Sequence, residues 1–277
     1  MTGGKTGSGA AGVSFVLPLL ILMILAFNIP LVSMLARSFG ASQFSLQYYG
    51  DLLRVPVYLK VIGNTFYVAA IASVCCAVLG YPLAYWMRGL SPSWQLVMVG
   101  LVIVPFWISV LVRTYAWIVI LGNGGLVNQG LLALGWIGAP ISFLYNLTGV
   151  TIGTINVLLP FLVLPLFASM VKIDERLLQA AASLGASSWT IFWRIFFPLS
   201  LPALAAGTIM VFILTLGFYV TPAVLGGGRV SMIANMLDLL INRMPRWELA
   251  AAISTTLLVL TMLLYAVSRW VGERRAA

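Results

Sequence analysis

From Thr114 to Val171 the chain carries no charged side chain. That run is far longer than the roughly 20 apolar residues needed to cross a bilayer core of about 30 Å, so it must hold more than one span. The rest of the chain agrees. Of its 277 residues, 62% are hydrophobic and 8% charged, with a mean hydropathy of +1.08. A soluble domain has about 25% charged residues. These values read as an all-α integral membrane protein.

Six apolar segments have spanning length, at about 13–36, 61–87, 95–121, 147–171, 201–220 and 249–270. The first is too long for a signal-peptide core and reads as a retained span. The expected organisation is a flexible cytosolic tail at 1–12, a membrane domain at 13–271 with a cytosolic element at 172–200, and a cytosolic tail at 272–277. Gly, Asn and Pro break the charge-free run between Gly122 and Asn146, where Leu126, Leu131, Leu132 and Leu134 predict a short surface helix. Trp136 and Tyr145 are placed at head-group depth. Lys and Arg at the 88, 172, 176 and 194 side of the spans outnumber those at the 37, 54, 60 and 229 side, which favours cytosolic termini. Pro82, Pro105, Pro160, Pro165, Gly217 and Pro222 interrupt the spans, and each proline removes a backbone donor.

Several chemistries are excluded. The chain has no histidine, and its two cysteines, Cys75 and Cys76, are neighbours in an apolar run. They form no metal-binding spacing and cannot readily bridge each other. The net charge of +9 is scattered between spans, which suits lipid head groups better than nucleic acid. Gly4-Lys5-Thr6 lacks the earlier glycine and the preceding strand of a phosphate loop. Any ATP is therefore expected on another chain.

The segment "DERLLQAAASLGASSWTIFWRIFFPLSLP" breaks the apolar pattern. Asp174 is a good N-cap, and Glu175 suits a helix N-terminus. Leu178, Ala181 and Ala182 share a face, and Gly185 predicts a left-handed helix end. Ser187 or Ser188 caps a second helix carrying Trp189, Phe192, Trp193 and Phe196 at i, i+3, i+4 and i+7. Pro198 is expected to stop that helix, and Pro202 to open the fifth span. Helices this short need a surface to pack on. From the residues alone, a hairpin lying on the inner leaflet and a docking element for a cytosolic partner both stand.

Gln179-Ala180-Ala181, Gly185, Ile195 and Pro198 are spaced as in the E-A-A loop of binding-protein-dependent ATP-binding-cassette importers, whose membrane subunits the chain resembles. Gln179 stands where that family usually has Glu, and Phe197 where it usually has Leu. "VPFWISVLVRTYAWIVILGNGGLVNQGLLALG", Asn64-Thr65 and "LGFYVTPAVLGGG" resemble the spermidine/putrescine-type branch. The resemblance implies a type I importer permease fold and a loop, 174–198, that couples to an ATPase. It also implies a second, different permease subunit, two ATPase subunits that use ATP and Mg, and a periplasmic solute-binding protein. With Gln179 a single exposed ion pair is lost, worth roughly 0–1 kcal/mol, so coupling is expected to survive.

For the substrate path, Arg113 is the one charge well inside an expected span. Such a charge is a functional candidate, with a framework or gate contact the other reading. Phe218, Tyr219 and Thr221 lie beside Gly217 and Pro222, where aromatic faces attract organic cations. Asp238 and Glu248 lie in and just after the last outer loop, to meet a cationic ligand or to pair with Arg243 or Arg246. The substrate expected is a polyamine, with opines and phosphonates as other small solutes of the branch. The alternative function is an ion-coupled secondary transporter, and a third is a non-transporting scaffold. The first of these needs intramembrane Asp or Glu, which the spans lack.

Overall fold

A computed structural model describes residues 8–40 and 44–276, and those residues are helices joined by short connections. The expected tail at 1–7 lies outside them. The chain divides into two compact units. One comprises the described residues up to Val55 together with Leu239–Leu260, and the other Pro56–Asp238 with the residues from Thr261 onward.

In the first unit, α1 spans Ser8–Ser38 and α2 spans Gln47–Arg54. The α1 helix therefore begins inside the expected 1–12 tail. Its side chains from Val16 to Pro30 are exposed, as an apolar helix made for lipid or a partner would be. At its end the Tyr49 hydroxyl donates to Ser38 Oγ at 2.8 Å, and Phe39 stacks on Phe44.

The second unit is built on α3 (Pro56–Arg88), α7 (Leu147–Val171) and α10 (Phe197–Leu216), which pack on one another. Between α3 and α7 lie α4 (Pro92–Trp107), α5 (Val110–Leu121) and α6 (Leu126–Ala133). Without a hydrophobic drive between helices in lipid, close packing depends on small residues that let backbones approach. Gly80 of α3 supplies such a notch, since a Cβ there would lie 2.7 Å from Leu162 Cδ2 and 3.1 Å from Val163 Cγ2. Gly207 of α10 supplies another, where a Cβ would lie 3.3 Å from Leu162 Cγ. Leu162 is fully buried, as are Val163, Leu166 and Met170 along the same helix.

Three expectations about the spans are corrected. The helix predicted over 95–121 is two helices. Pro105 provides no N–H, Ile108 N–H turns back to the Pro105 carbonyl at 3.2 Å, and Ile108 and Ser109 are extended before α5 begins. The third stretch of spanning length, Val110–Ala133, comprises α5, a turn at 122–125 and α6. Pro198 does not stop a helix either. The chain is helical from Ser188 to Leu216, through α9 (Ser188–Ile191), a π turn (Phe192–Phe196) and α10. The wider π turn shifts the bonding register, with Phe197 N–H reaching the Phe192 carbonyl, so the missing donor of Pro198 leaves no broken ladder. The fifth span ends at Leu216 rather than 220. Gly217–Tyr219 separate it from α11 (Val220–Leu225), and α12 (Ile233–Asp238) follows.

The predicted short helix is present as α6, and a buried side chain fixes its loop. Asn128 donates to the Gly122 and Ile141 carbonyls at 3.0 and 2.9 Å and accepts from Ile141 N–H at 2.8 Å. Trp136 and Tyr145 are exposed. The last helix, α13 (Trp247–Ala276), extends beyond the expected 249–270 span, and the backbone of 272–276 is helical. Among the described residues six helical stretches are long and apolar enough to cross a membrane.

Gly80→Val should force its new methyls into Leu162, destabilising the bundle by about 1–3 kcal/mol. Thermal unfolding in detergent should show this as a lower midpoint, and Leu162→Ala in the same chain should restore part of the loss.

Candidate functional site

The segment after α7 folds through local hydrogen bonds. Asp174 accepts from Arg176 N–H at 2.9 Å and opens α8 (Glu175–Ser183). Caps of this kind contribute about 1 kcal/mol. At the other end Gly185 has φ +83°, its N–H bonds to the Ala182 carbonyl at 2.9 Å, and Ala186 N–H bonds to the Ala181 carbonyl at 3.1 Å. This pair of bonds is the Schellman closure, which needs a left-handed residue at Gly185. Ser187 then accepts from Thr190 N–H at 3.3 Å and opens the second helix.

The four aromatics of that second helix divide between two directions. Phe196 is 2% exposed, whereas Trp189 is 72% exposed and Trp193 also reaches solvent. Phe192 and Phe196 meet Tyr85 of α3 edge-on, with centroids 5.2 and 5.1 Å away. The Tyr81 and Ser200 hydroxyls lie 2.8 Å apart. So the second helix is held on α3 by one face, while Leu184 at 89% exposed and Trp189 project outward. Gln179, Ala180 and Pro198 are exposed, and Ala181 and Ile195 are half-buried. All six residues of the E-A-A pattern therefore lie in this one element.

Arg88, read from sequence only as a topology charge, is the residue of this region that the sequence reading missed. Its Nε–H donates to the Met170 carbonyl at 3.1 Å, and its guanidinium lies 5.0 Å over the centre of the Phe196 ring. Its Nη2 also reaches Glu175 Oε1 at 3.6 Å, with side chains 15% and 74% exposed respectively. An ion pair so exposed on one side is worth roughly 0–1 kcal/mol. The signal for Arg88 was present in the spacing: Tyr81, Tyr85 and Arg88 fall at i, i+4 and i+7 on one face of α3.

The residues predicted for a substrate path have different surroundings. Phe218 packs against the core around α7, and Thr221 is fully buried with its hydroxyl 3.3 Å from that of Thr114. Tyr219 is exposed at the break after α10, and its hydroxyl donates to Asp238 Oδ2 at 3.2 Å. Asn235 holds the same turn by donating to the Tyr219 carbonyl at 3.1 Å. Glu248 is half-buried in the first turn of α13. Arg113 lies in the first turns of α5, and its Nε and Nη1 are buried with no hydrogen-bond partner among the described residues. Among those residues no three His, Cys, Asp or Glu side chains are grouped to hold a metal.

A Cβ at position 185 would meet nothing within 4 Å, so a substitution there tests backbone conformation alone. Gly185→Val should cost roughly 1–2 kcal/mol of left-handed strain. Hydrogen exchange at the 185 and 186 amides should accelerate about tenfold or more, whereas Gly185→Asn should stay near the parent.

Comparison with known proteins matches residues 76–276 to the family described as the binding-protein-dependent transport system inner membrane component. The chain is 36% identical over 238 residues to the spermidine/putrescine transport system permease protein PotB of Haemophilus influenzae, covering 84% of this chain and 82% of that one. It is likewise 36% identical over 230 residues to the protein of the same name from Escherichia coli, covering 83% of each. Among solved structures, a bacterial alginate ABC transporter in complex with alginate pentasaccharide-bound periplasmic protein superposes with a TM-score of 0.77. That alignment has 18% identity and covers 94% of this chain and 93% of that one. With the apolar spans and the fold on which they agree, the chain belongs to the family of binding-protein-dependent transport system inner membrane components: it is a multi-pass inner-membrane permease subunit of an ATP-binding-cassette importer, and ATP is hydrolysed on a separate subunit.

Proposed function

We propose that this permease carries polyamines, spermidine and putrescine or a closely related small polar solute, and that it is driven through the 174–198 element. The observation that carries the coupling half of this reading is the outward face of that element. Leu184 and Trp189 are held out by rigid caps on a segment whose other face is buried. Large apolar side chains so displayed are made to be covered. The occupant is a groove on a cytosolic ATPase, and ATP and Mg are bound there rather than on this chain. Two such ATPase subunits, a second and different permease chain and a periplasmic solute-binding protein complete the transporter. Both termini of the permease lie in the cytosol.

The substrate half rests on relatives named for spermidine and putrescine that match more than four-fifths of the chain. Tyr219 and Asp238 suit the task, since an aromatic ring and a carboxylate together attract a primary ammonium. Phe218 and Thr221 serve the packing behind them. Arg113, a fixed cation, stays outside a polyamine's route and serves the framework or a gate. Gln179 keeps an amide where a carboxylate is usual, so docking depends on shape and apolar area more than on charge. Family membership leaves the ion-coupled alternative without support.

In nanodiscs, binding protein loaded with spermidine should raise ATP hydrolysis by the assembled transporter. Leu184→Asp combined with Trp189→Asp should remove the ATPase subunits from the purified complex. If they remain bound, the docking reading is wrong. Asp238→Asn should raise the KM for spermidine uptake by a few-fold while the ATPase subunits stay attached, and an unchanged KM would remove Asp238 from the path.

A further inference from the structure

We infer that Arg88 is the positioning residue that transmits movement of the 174–198 element to α3 and α7, and that it does so through the fixed geometry of its guanidinium rather than through its ion pair with Glu175. The inference rests on the coupling reading above. A docking element can drive a membrane bundle only if displacement at its surface is not absorbed by slack behind it. The second helix of this element is continuous with α10, and α8 is joined to the bundle through Lys172–Asp174 at one end, through 184–187 and the second helix at the other, and through side chains. Leu178 and Ile173 lean on the core, and Arg88 is the polar contact that meets all three parties.

Its contacts differ in kind. Met170 is fully buried near the end of α7, where carbonyls run out of intrahelical donors, and its carbonyl accepts the Arg88 Nε–H. Phe196, in the π turn, presents its ring face to the same guanidinium. The guanidinium meets both at once, with its Nε–H directed at the carbonyl and its carbon 5.0 Å over the ring centre. A lysine ammonium on a flexible stem keeps the charge but lacks the rigid fork that holds these partners together. The third contact, to Glu175, is long and exposed, and a lysine could replace it. Arg88 also lies at the C-terminal ends of α3 and α7, where a cation is favoured by both helix dipoles. Tyr81 and Tyr85, on the same face of α3, both meet Phe192 of the π turn edge-on, and Tyr85 also meets Phe196. The Phe196 ring, the Arg88 guanidinium and the Met170 carbonyl therefore join the element to the bundle at the point where the helix changes register.

The test uses the assembled transporter in nanodiscs with spermidine-loaded binding protein. It reads the ratio of stimulated to basal ATP hydrolysis, copurification of the ATPase subunits and the thermal midpoint of the complex. Arg88→Lys should lower the ratio about tenfold with the subunits still attached and the midpoint held. Phe196→Leu should also lower the ratio, with a drop in midpoint because the ring is buried, and the two together should lower the ratio no further than either alone. Glu175→Gln should shift the ratio by less than about twofold, as an exposed ion pair would. Wild-type stimulation in Arg88→Lys overturns the inference, as does a loss in that variant that tracks lost subunits or a lowered midpoint, or a Glu175→Gln effect as large as that of Arg88→Lys. A parent complex that shows no stimulation at all fails the coupling reading itself, and this inference falls with it.

Discussion

Leu162 lies between two glycines, one on α3 and one on α10, and the second unit depends on that seat. In hydrocarbon a leucine gains little by leaving lipid for a neighbouring helix, so association must come from fit. Gly80 and Gly207 remove the atoms that would hold the helices apart, and Leu162 fills the space they leave. The close approach sets where the ends of α3 and α7 emerge. At one end that brings Arg88 to the Met170 carbonyl and to the Phe196 ring. Toward the other, Thr114 and Thr221 bury their hydroxyls against each other beside the break that follows α10.

The interruptions in the spans show how one residue type leads to different structures. Pro105 lies near a helix end and is followed by two extended residues that start a new helix. Pro198 sits just after a π turn and leaves the helix continuous. Gly217 ends α10, and the chain recovers helix three residues later. At each break some of the released backbone groups bond again within a few residues, as Ile108 N–H does to the Pro105 carbonyl and Phe218 N–H to the Thr215 carbonyl. The choice among these outcomes depends on what packs behind the residue. Behind Pro198 the aromatic face of the π turn is gripped by Tyr81 and Tyr85 from a helix more than a hundred residues away, which no local pattern encodes.

Local signals were legible where local forces dominate. Asp174, Gly185 and Ser187 act through bonds to residues two to five positions away, so their caps and turn could be read directly from the chain. The same holds for the start and end of α7, whose apolar run begins after Asn146 and stops before Lys172. The substrate residues were not legible in this way. Phe218, Tyr219 and Thr221 are neighbours in sequence with similar prospects of facing a path, yet one packs in the core, one meets Asp238 and one is enclosed with Thr114. A break in the helix between them ends the 3.6-residue periodicity on which facing arguments rest.

The sequence by itself determined that this chain lives in a membrane, how many segments can cross it, and that a capped helix–Gly–helix element interrupts them. Each follows from composition, length or hydrogen bonds between near neighbours, which do not depend on how the helices are arranged. Only the tertiary structure decided which aromatics of that element are buried and which are displayed. It also turned Arg88 from one basic residue among fifteen into the joint between element and bundle. Those outcomes depend on the side chains of α3, α7 and the π turn meeting at one point, and that meeting is set by the glycine-notched packing around Leu162.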